Sequence, residues 1–225
     1  MRLFYFLPLS LLLCKIVFAS NLQIQPVNIN FKPQQTMSSI KLTNHDNKPI
    51  VLQIAIKQWQ QDKNGKDIYQ STKALLATPK IFTIKPGHTQ IIRLAIIQPQ
   101  NRSHEQTYRL FIKELPRKQK NNQTNQLQLI MQYILPIFIN ETKPLTKVSY
   151  HLLKKNNKTQ SISVVNQSNH HIVLTGILIN DSKNDTIGIM EERGIYLLAG
   201  AQYQLVVPLK NTKALPTSAK ILYLK

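Results

Sequence analysis

Helical 3.6-residue periodicity is almost absent from this chain, so packed helices are not what it builds. Short apolar runs recur instead, at residues 22–31, 38–42, 51–59, 68–69, 81–84, 90–97, 107–115 and 127–139. The breaks between them have the chemistry of turns. Asn44-His45-Asp46-Asn47-Lys48-Pro49 is a polar cluster closed by proline, Asp62-Lys63-Asn64-Gly65 reads as a hairpin or loop tip, and Pro86-Gly87 is a turn pair. Strand-length runs with such punctuation predict an all-β chain.

The runs number about the seven or eight strands of one immunoglobulin-like β-sandwich. A polar linker follows at Asn140-Glu141-Thr142-Lys143-Pro144, and then a second series at 148–153, 161–165, 172–179, 187–190, 195–197, 204–209 and 219–224. The expected organisation is a leader at 1–19, a first sandwich at 20–140 and a smaller second one at 144–225. Ser163-Val164-Val165-Asn166-Gln167-Ser168 echoes Ile40-Lys41-Leu42-Thr43-Asn44-His45, each a strand that runs into an Asn-led turn. Two related modules are implied.

The run at 127–139 is longer than a typical strand of about 5–6 residues. Leu127, Leu129 and Met131 alternate with Gln126, Gln128 and, after Ile130, Gln132, which places the apolar side chains on one face. The polar, basic stretch 117–125 before it cannot pack a core and is expected to be a mobile loop. Two readings fit: a buried strand of an ordinary sandwich, or a strand lent to another protein, since a long apolar edge strand is a hazard unless something pairs with it.

Met1 to Ala19 has the composition of a signal peptide, with Arg2 at its positive end, an apolar run at 3–13 and Val17-Phe18-Ala19 as the cleavage site. Export with cleavage after Ala19 is expected. No later stretch is long enough for a transmembrane helix, so no stable membrane insertion is expected. The single cysteine, Cys14, leaves with the leader, so the mature chain is expected to hold no disulfide, no thiolate nucleophile and no Cys-based zinc site. The formal net charge of +19, from 29 basic and 10 acidic residues, favours an acidic partner or surface, yet the lysines are spread through a chain rich in Asn, Gln and Ile. No basic stripe is interleaved with aromatics, which argues against nucleic acid.

Catalysis finds no support. His45, His88, His104, His151, His170 and His171 are scattered over turns and strand ends without metal-ligand spacing, and the adjacent pair His170-His171 reads as solvent-exposed loop. Asp181, Asp185, Glu191 and Glu192 lack a calcium-loop pattern, and no phosphate-binding loop or nucleophile elbow is present. The expectation is no catalytic residues, no metal and no cofactor. Trp59 reads as a core or sheet-packing residue.

Several segments together resemble the periplasmic pilus-assembly chaperones, the PapD-like family. They are Leu42-Thr43-Asn44, the stretch from Trp59 through Gly65 and Asp67 to Tyr69, Pro79, Pro86-Gly87, Gln90-Ile91-Ile92-Arg93-Leu94, Glu105 to Leu110, Glu114-Leu115-Pro116 and Leu135-Pro136-Ile137-Phe138. The segment around Trp59 is most similar to the branch called archaic. The resemblance implies two immunoglobulin-like domains in an L shape. It also implies that the seventh strand fills the gap in incomplete pilus subunits, by a strand addition that needs no ATP. It names pilus or fimbrial subunits and an outer-membrane usher as partners. Here the donor strand would be 127–139, with Leu127, Leu129 and Met131 entering the subunit's groove and Tyr133 extending the set.

The match departs from the family at its basic pair, which binds the subunit's terminal carboxylate. Those positions fall on Asn28 and Pro136, neither of them basic. A buried carboxylate still needs a donor or cation, and Arg93, Arg109 and Lys113 are the candidate substitutes. Glu105 matches the acid of the family's interdomain charge cluster, but its partner arginine is replaced by Asn140, so a domain angle held differently or less tightly is expected. The alternative reading is an immunoglobulin-like surface adhesin or pilus-structural module. It is disfavoured because the chain carries both a first strand and its own seventh.

Overall fold

The computed structural model describes residues 22–62, 64–98, 104–116, 129–140, 143–156, 158–210 and 213–224. Its described residues form strands and no helix, in four sheets that make two immunoglobulin-like sandwiches. In the first, β1 (Leu22–Gln25), β3 (Met37–Asn44), β8 (Thr89–Ile96) and β6 (Leu75–Thr78) form one sheet in the order β1-β3-β8-β6. The facing sheet runs β2 (Ile29–Phe31), β10 (Gln132–Ile139), β9 (Gln106–Glu114), β4 (Ile50–Gln61) and β5 (Asp67–Ser71), with β7 (Ile81–Ile84) also paired to β4. Period-2 alternation builds the core between them. Ile40, Leu42, Ile92 and Leu94 from one sheet meet Leu110, Ile112 and Ile137 from the other, all fully buried.

The second sandwich packs β11 (Val148–Lys155), β12 (Thr159–Asn166) and β15 (Gln202–Pro208) against β14 (Thr186–Leu197), β13 (Ile172–Asn180) and β16 (Ser218–Leu224). Its core is built on Val164, Leu174, Ile177, Ile179 and Val207.

Four elements differ from the sequence expectation, one of them β6, which falls outside every apolar run named above. The run 22–31 is two strands, because Pro26 cannot donate to a ladder and interrupts the pairing; β1 joins one sheet and β2 the other. Residues 187–197 form one strand rather than two, with Gly194 at φ +91° carrying the chain through an irregular stretch. The last strand of the first sandwich begins at Gln132, while Leu129 to Met131 continue it without strand geometry and 117–128 lie outside the described residues.

The two sandwiches share one corner device. Asn44 donates from Nδ2 to the carbonyls of Lys48 and Ile84, and its Oδ1 accepts from the Asp46 amide. Asn166 donates to the carbonyls of His170, Leu197 and Leu198, and its Oδ1 accepts from the Ser168 amide. Each asparagine carbonyl accepts from a turn glycine, Gly87 or Gly200. The echo between the two Asn-led turns is therefore a shared hydrogen-bonded corner. An Asn166→Ala variant leaves three carbonyls and an amide without their partner at a fully buried site, and should lose about 3 kcal/mol in urea unfolding. Asn44→Ala should behave alike, and a loss below about 0.5 kcal/mol in both would remove the corner from the stability of the fold.

Candidate functional site

The strand β10 has an unusual position. Antiparallel to β9 it is paired along its whole length, from Gln132 opposite Lys113 to Ile139 opposite Gln106. On its other side the parallel neighbour β2 covers only Ile137 to Ile139. From Gln132 to Pro136 that second edge carries no strand among the described residues. β1 does not cover it, having crossed to the other sheet at Pro26. Pro136 sits on this edge strand, where the missing N–H is tolerated.

Side chains along β10 divide by parity. Tyr133, Leu135 and Ile137 face the core of the first sandwich, Tyr133 being half-buried against it. Met131 holds the same parity, and its carbonyl accepts from the Glu114 amide, one rung beyond the strand. Leu129 is 75% exposed and Ile134, on the opposite face, 41%. Leu127 lies outside the described residues. The other apolar residues singled out in the sequence thus form a line that begins in the first core and leads out along an unpaired edge.

The opposite face of the same sheet is ordered by register. Phe138, Thr107 and Trp59 lie in one row, Pro136, Arg109 and Lys57 in the next, then Ile134, Phe111 and Ala55, and finally Gln132, Lys113 and Gln53. The two rings of the first row are dry. Trp59 and Phe138 are 1% and 2% exposed, and both belong to the core of the second sandwich rather than the first. Phe138 stacks on His171 with ring centroids 3.6 Å apart and planes 10° apart, and Trp59 meets Tyr196 edge to face at 5.6 Å.

Polar groups lock this joint. The Glu105 carboxylate accepts from the His171 amide at 2.8 Å and pairs with His171 Nδ1 at 2.7 Å. The missing arginine opposite Glu105 is thus replaced by a histidine from the other sandwich. His170 and His171 are not solvent-exposed as their loop position suggested: Phe138 and Glu105 cover His171, and His170 is buried beside Thr146 and Asn169. Gln61 donates to the Tyr196 carbonyl and accepts from the Leu198 amide.

Of the three candidate anchors, Arg93 is exposed on β8 beside Ser39 and Thr78, in the sheet that does not contain β10. Lys113 is exposed in the outermost row. Arg109 stands directly across from Pro136, on the strand next to β10. Its guanidinium lies 3.6 Å over the Trp59 ring and 5.2 Å from that of Tyr196. Burial pushes it below its ordinary range, offset in part by Tyr69 and Asp67. Its Nε and the Trp59 Nε1 are both buried with no hydrogen-bond partner among the described residues. Lys57, exposed in the same row with its Nζ 5.2 Å from the Phe111 ring, was not singled out by sequence; one lysine among many carries no local signal.

No group of three His, Cys, Asp or Glu among the described residues could hold a metal, and no helix among them is long and apolar enough to cross a membrane.

Comparison with known proteins adds the following. Residues 21–143 match the family profile described as pili and flagellar-assembly chaperone, PapD N-terminal domain. No curated protein sequence matches the chain. Among solved structures, the chain is similar to the CsuC–CsuE chaperone–tip adhesion subunit pre-assembly complex from archaic chaperone-usher Csu pili of Acinetobacter baumannii. The TM-score is 0.60 at 17% identity, over 83% of this chain and 90% of that one. It is also similar to the class 5 fimbriae chaperone CfaA, with TM-score 0.63 and 13% identity over 91% and 92%. A third likeness is to the Salmonella enterica complex of SafA pilin with the SafB chaperone, with TM-score 0.58 and 12% identity over 92% and 98%.

The joint also makes a pH response. Burial raises the Tyr69 hydroxyl above its ordinary value of 10.0, and the hydrogen bond to Asp67 at 2.9 Å adds to it. A folded value above the unfolded one means that the stabilisation is fully present below about pH 10 and is lost as pH rises through the folded value. Tyr69→Phe should therefore flatten the alkaline fall of the urea midpoint relative to wild type. An unchanged slope would exclude Tyr69 from that response.

Proposed function

Because this chain belongs to the pili and flagellar-assembly chaperones of the PapD type, we propose that it captures pilus subunits in the periplasm by lending them the free edge of β10. The open edge from Gln132 to Pro136 carries this reading. Unpaired N–H and C=O groups on that edge are a template for a further strand. The solved CsuC–CsuE and SafB–SafA complexes, each a chaperone with its subunit, support the same partner class.

The donor side chains are Leu127, Leu129, Met131 and Tyr133. Each large apolar side chain contributes roughly 1.5–3 kcal/mol on full burial. Three or four give about 5–12 kcal/mol gross, before the cost of association and of ordering the chain. Ladder hydrogen bonds supply affinity without regard to sequence, and the alternate side chains select the groove. A slip of one residue would drive Gln132 into the groove in place of Met131 or Tyr133, so the register is specific.

Arg109 anchors the subunit's terminal carboxylate in place of the absent basic pair. It is the candidate that lies both beside β10 and next to Pro136 in register. Lys57 and Lys113, on the same face, add positive potential along the approach. The protein performs no chemical step. It is exported by residues 1–19, cleaved after Ala19, and hands its subunits to an outer-membrane usher by exchange of one strand for another.

The test is co-purification from periplasmic extract with candidate subunits of the same operon co-expressed. A one-to-one complex is expected with wild type. Leu129→Asp combined with Met131→Asp should abolish capture while the fold survives, since Leu129 is exposed in the free chain. Wild-type capture by that variant would end the donor-strand reading, and absence of any complex with wild type would favour the adhesin-like module.

A further inference from the structure

We infer that Tyr196, from the second sandwich, is a positioning residue for the Arg109 anion seat, so that the seat is complete only while the two sandwiches are docked. The inference rests on the reading of Arg109 as the carboxylate anchor and goes beyond it.

The seat is built from both sides. An open cavity of about 190 Å³ is lined by Trp59, Arg109 and Asp67 of the first sandwich and by Ile195, Tyr196 and Tyr203 of the second. Arg109 has four rotatable side-chain bonds and no fixed carboxylate partner within ion-pair distance among the described residues. Left to itself on a strand face it would sample many rotamers, and from its own sandwich the Tyr69 hydroxyl and the Asp67 charge act on it. Here the Trp59 ring holds one side of the guanidinium at 3.6 Å, and Tyr196 limits it at 5.2 Å. Tyr196 is itself fixed by the edge contact with Trp59 and by the Gln61 amide on its carbonyl. Asp67 does not compete freely for the guanidinium, since its two oxygens accept from Gln61 Nε2 and the Tyr69 hydroxyl. The two unpartnered buried donors, Arg109 Nε and Trp59 Nε1, are the counterpart an incoming acceptor would meet.

The β4–β5 hairpin is the second hold on the docking. Gly65 has φ +79°, and a Cβ there would overlap the Tyr203 ring and come within 3.0 Å of the Gln202 carbonyl. The close approach of the hairpin tip to the second sandwich therefore needs glycine. By reciprocity, whatever docking adds to carboxylate affinity, a bound carboxylate adds to docking. A loaded subunit would stiffen the joint.

Trp59 is the only tryptophan of the chain, so its emission reports on the seat directly. The full mature protein is titrated with N-acetylglycine, a free carboxylate next to a peptide group, and with N-acetylglycinamide as the uncharged control, at constant ionic strength. Wild type should give a saturable change with the acid and none with the amide, and Arg109→Gln should abolish it. Tyr196→Phe, which keeps the ring, should bind like wild type. Tyr196→Leu and Gly65→Val should each weaken binding about tenfold, the scale of a desolvated cation–ring contact. No response to the acid in wild type would overturn the anchor reading itself. A response lost in Arg109→Gln but unchanged in Tyr196→Leu would overturn the two-sandwich seat and leave the anchor standing. Should Tyr196→Leu fail to fold, Gly65→Val decides, since it keeps the Arg109, Trp59 and Tyr196 side chains and disturbs only the docking; wild-type affinity there overturns the inference.

Discussion

The burial of Trp59 and Phe138 beneath the second sandwich is the contact on which the rest depends. Both side chains stand on the outer face of a sheet whose other face already packs a core. Outer faces of antiparallel sheets are ordinarily wet. Here two large rings contribute a second dry layer, and Tyr196 and His171 close over them. Large aromatic burial is worth several kcal/mol of apolar transfer, more than any single polar contact across the joint. The Glu105–His171 pair and the Gln61 clamp add direction to it: they fix which way the second sandwich sits on this platform. A buried acid without a cationic partner would be costly, and the histidine supplies a donor where the family arginine is missing.

Much of the fold could be read from alternation alone. Strands with clean period 2, such as β3 and β9, appear where the sequence puts them, and the two Asn-led turns are recognisable because the asparagine must face inward to reach three carbonyls or their equivalents. What local pattern cannot show is where a strand changes sheet. Pro26 inside the run 22–31 was the available sign, since proline interrupts ladder pairing. Strand β6 escaped because Ala74-Leu75-Leu76-Ala77 lacks a polar residue at every second place.

The site was legible in part for the same reason. Alternation put Arg109 on the face opposite Leu110 and Ile112, but a strand-face arginine ordinarily reads as solvated charge. That this face is covered is a property of the second sandwich, separated from β9 by a linker, and no spacing within either segment encodes it. His171 was hidden likewise: adjacent histidines at a loop carry no sign of the carboxylate they will meet in another domain.

One strand joins the two halves of the mechanism. At its C-terminal end β10 is buried on both faces, with Ile137 and Ile139 in the first core and Phe138 in the second. At its N-terminal end one edge is free. A strand free along its full length would slip, since neighbouring registers differ little in backbone hydrogen bonding. Here a shift by one residue would force Phe138 into the first core and pull Ile137 out to face His171. The anchored end therefore sets the phase of the open end. Leu135 and Tyr133 face inward because Ile137 does, and Met131 continues that parity one rung beyond the strand. Specific capture by a backbone template requires this phase lock, because the ladder hydrogen bonds alone do not distinguish one side-chain set from the next.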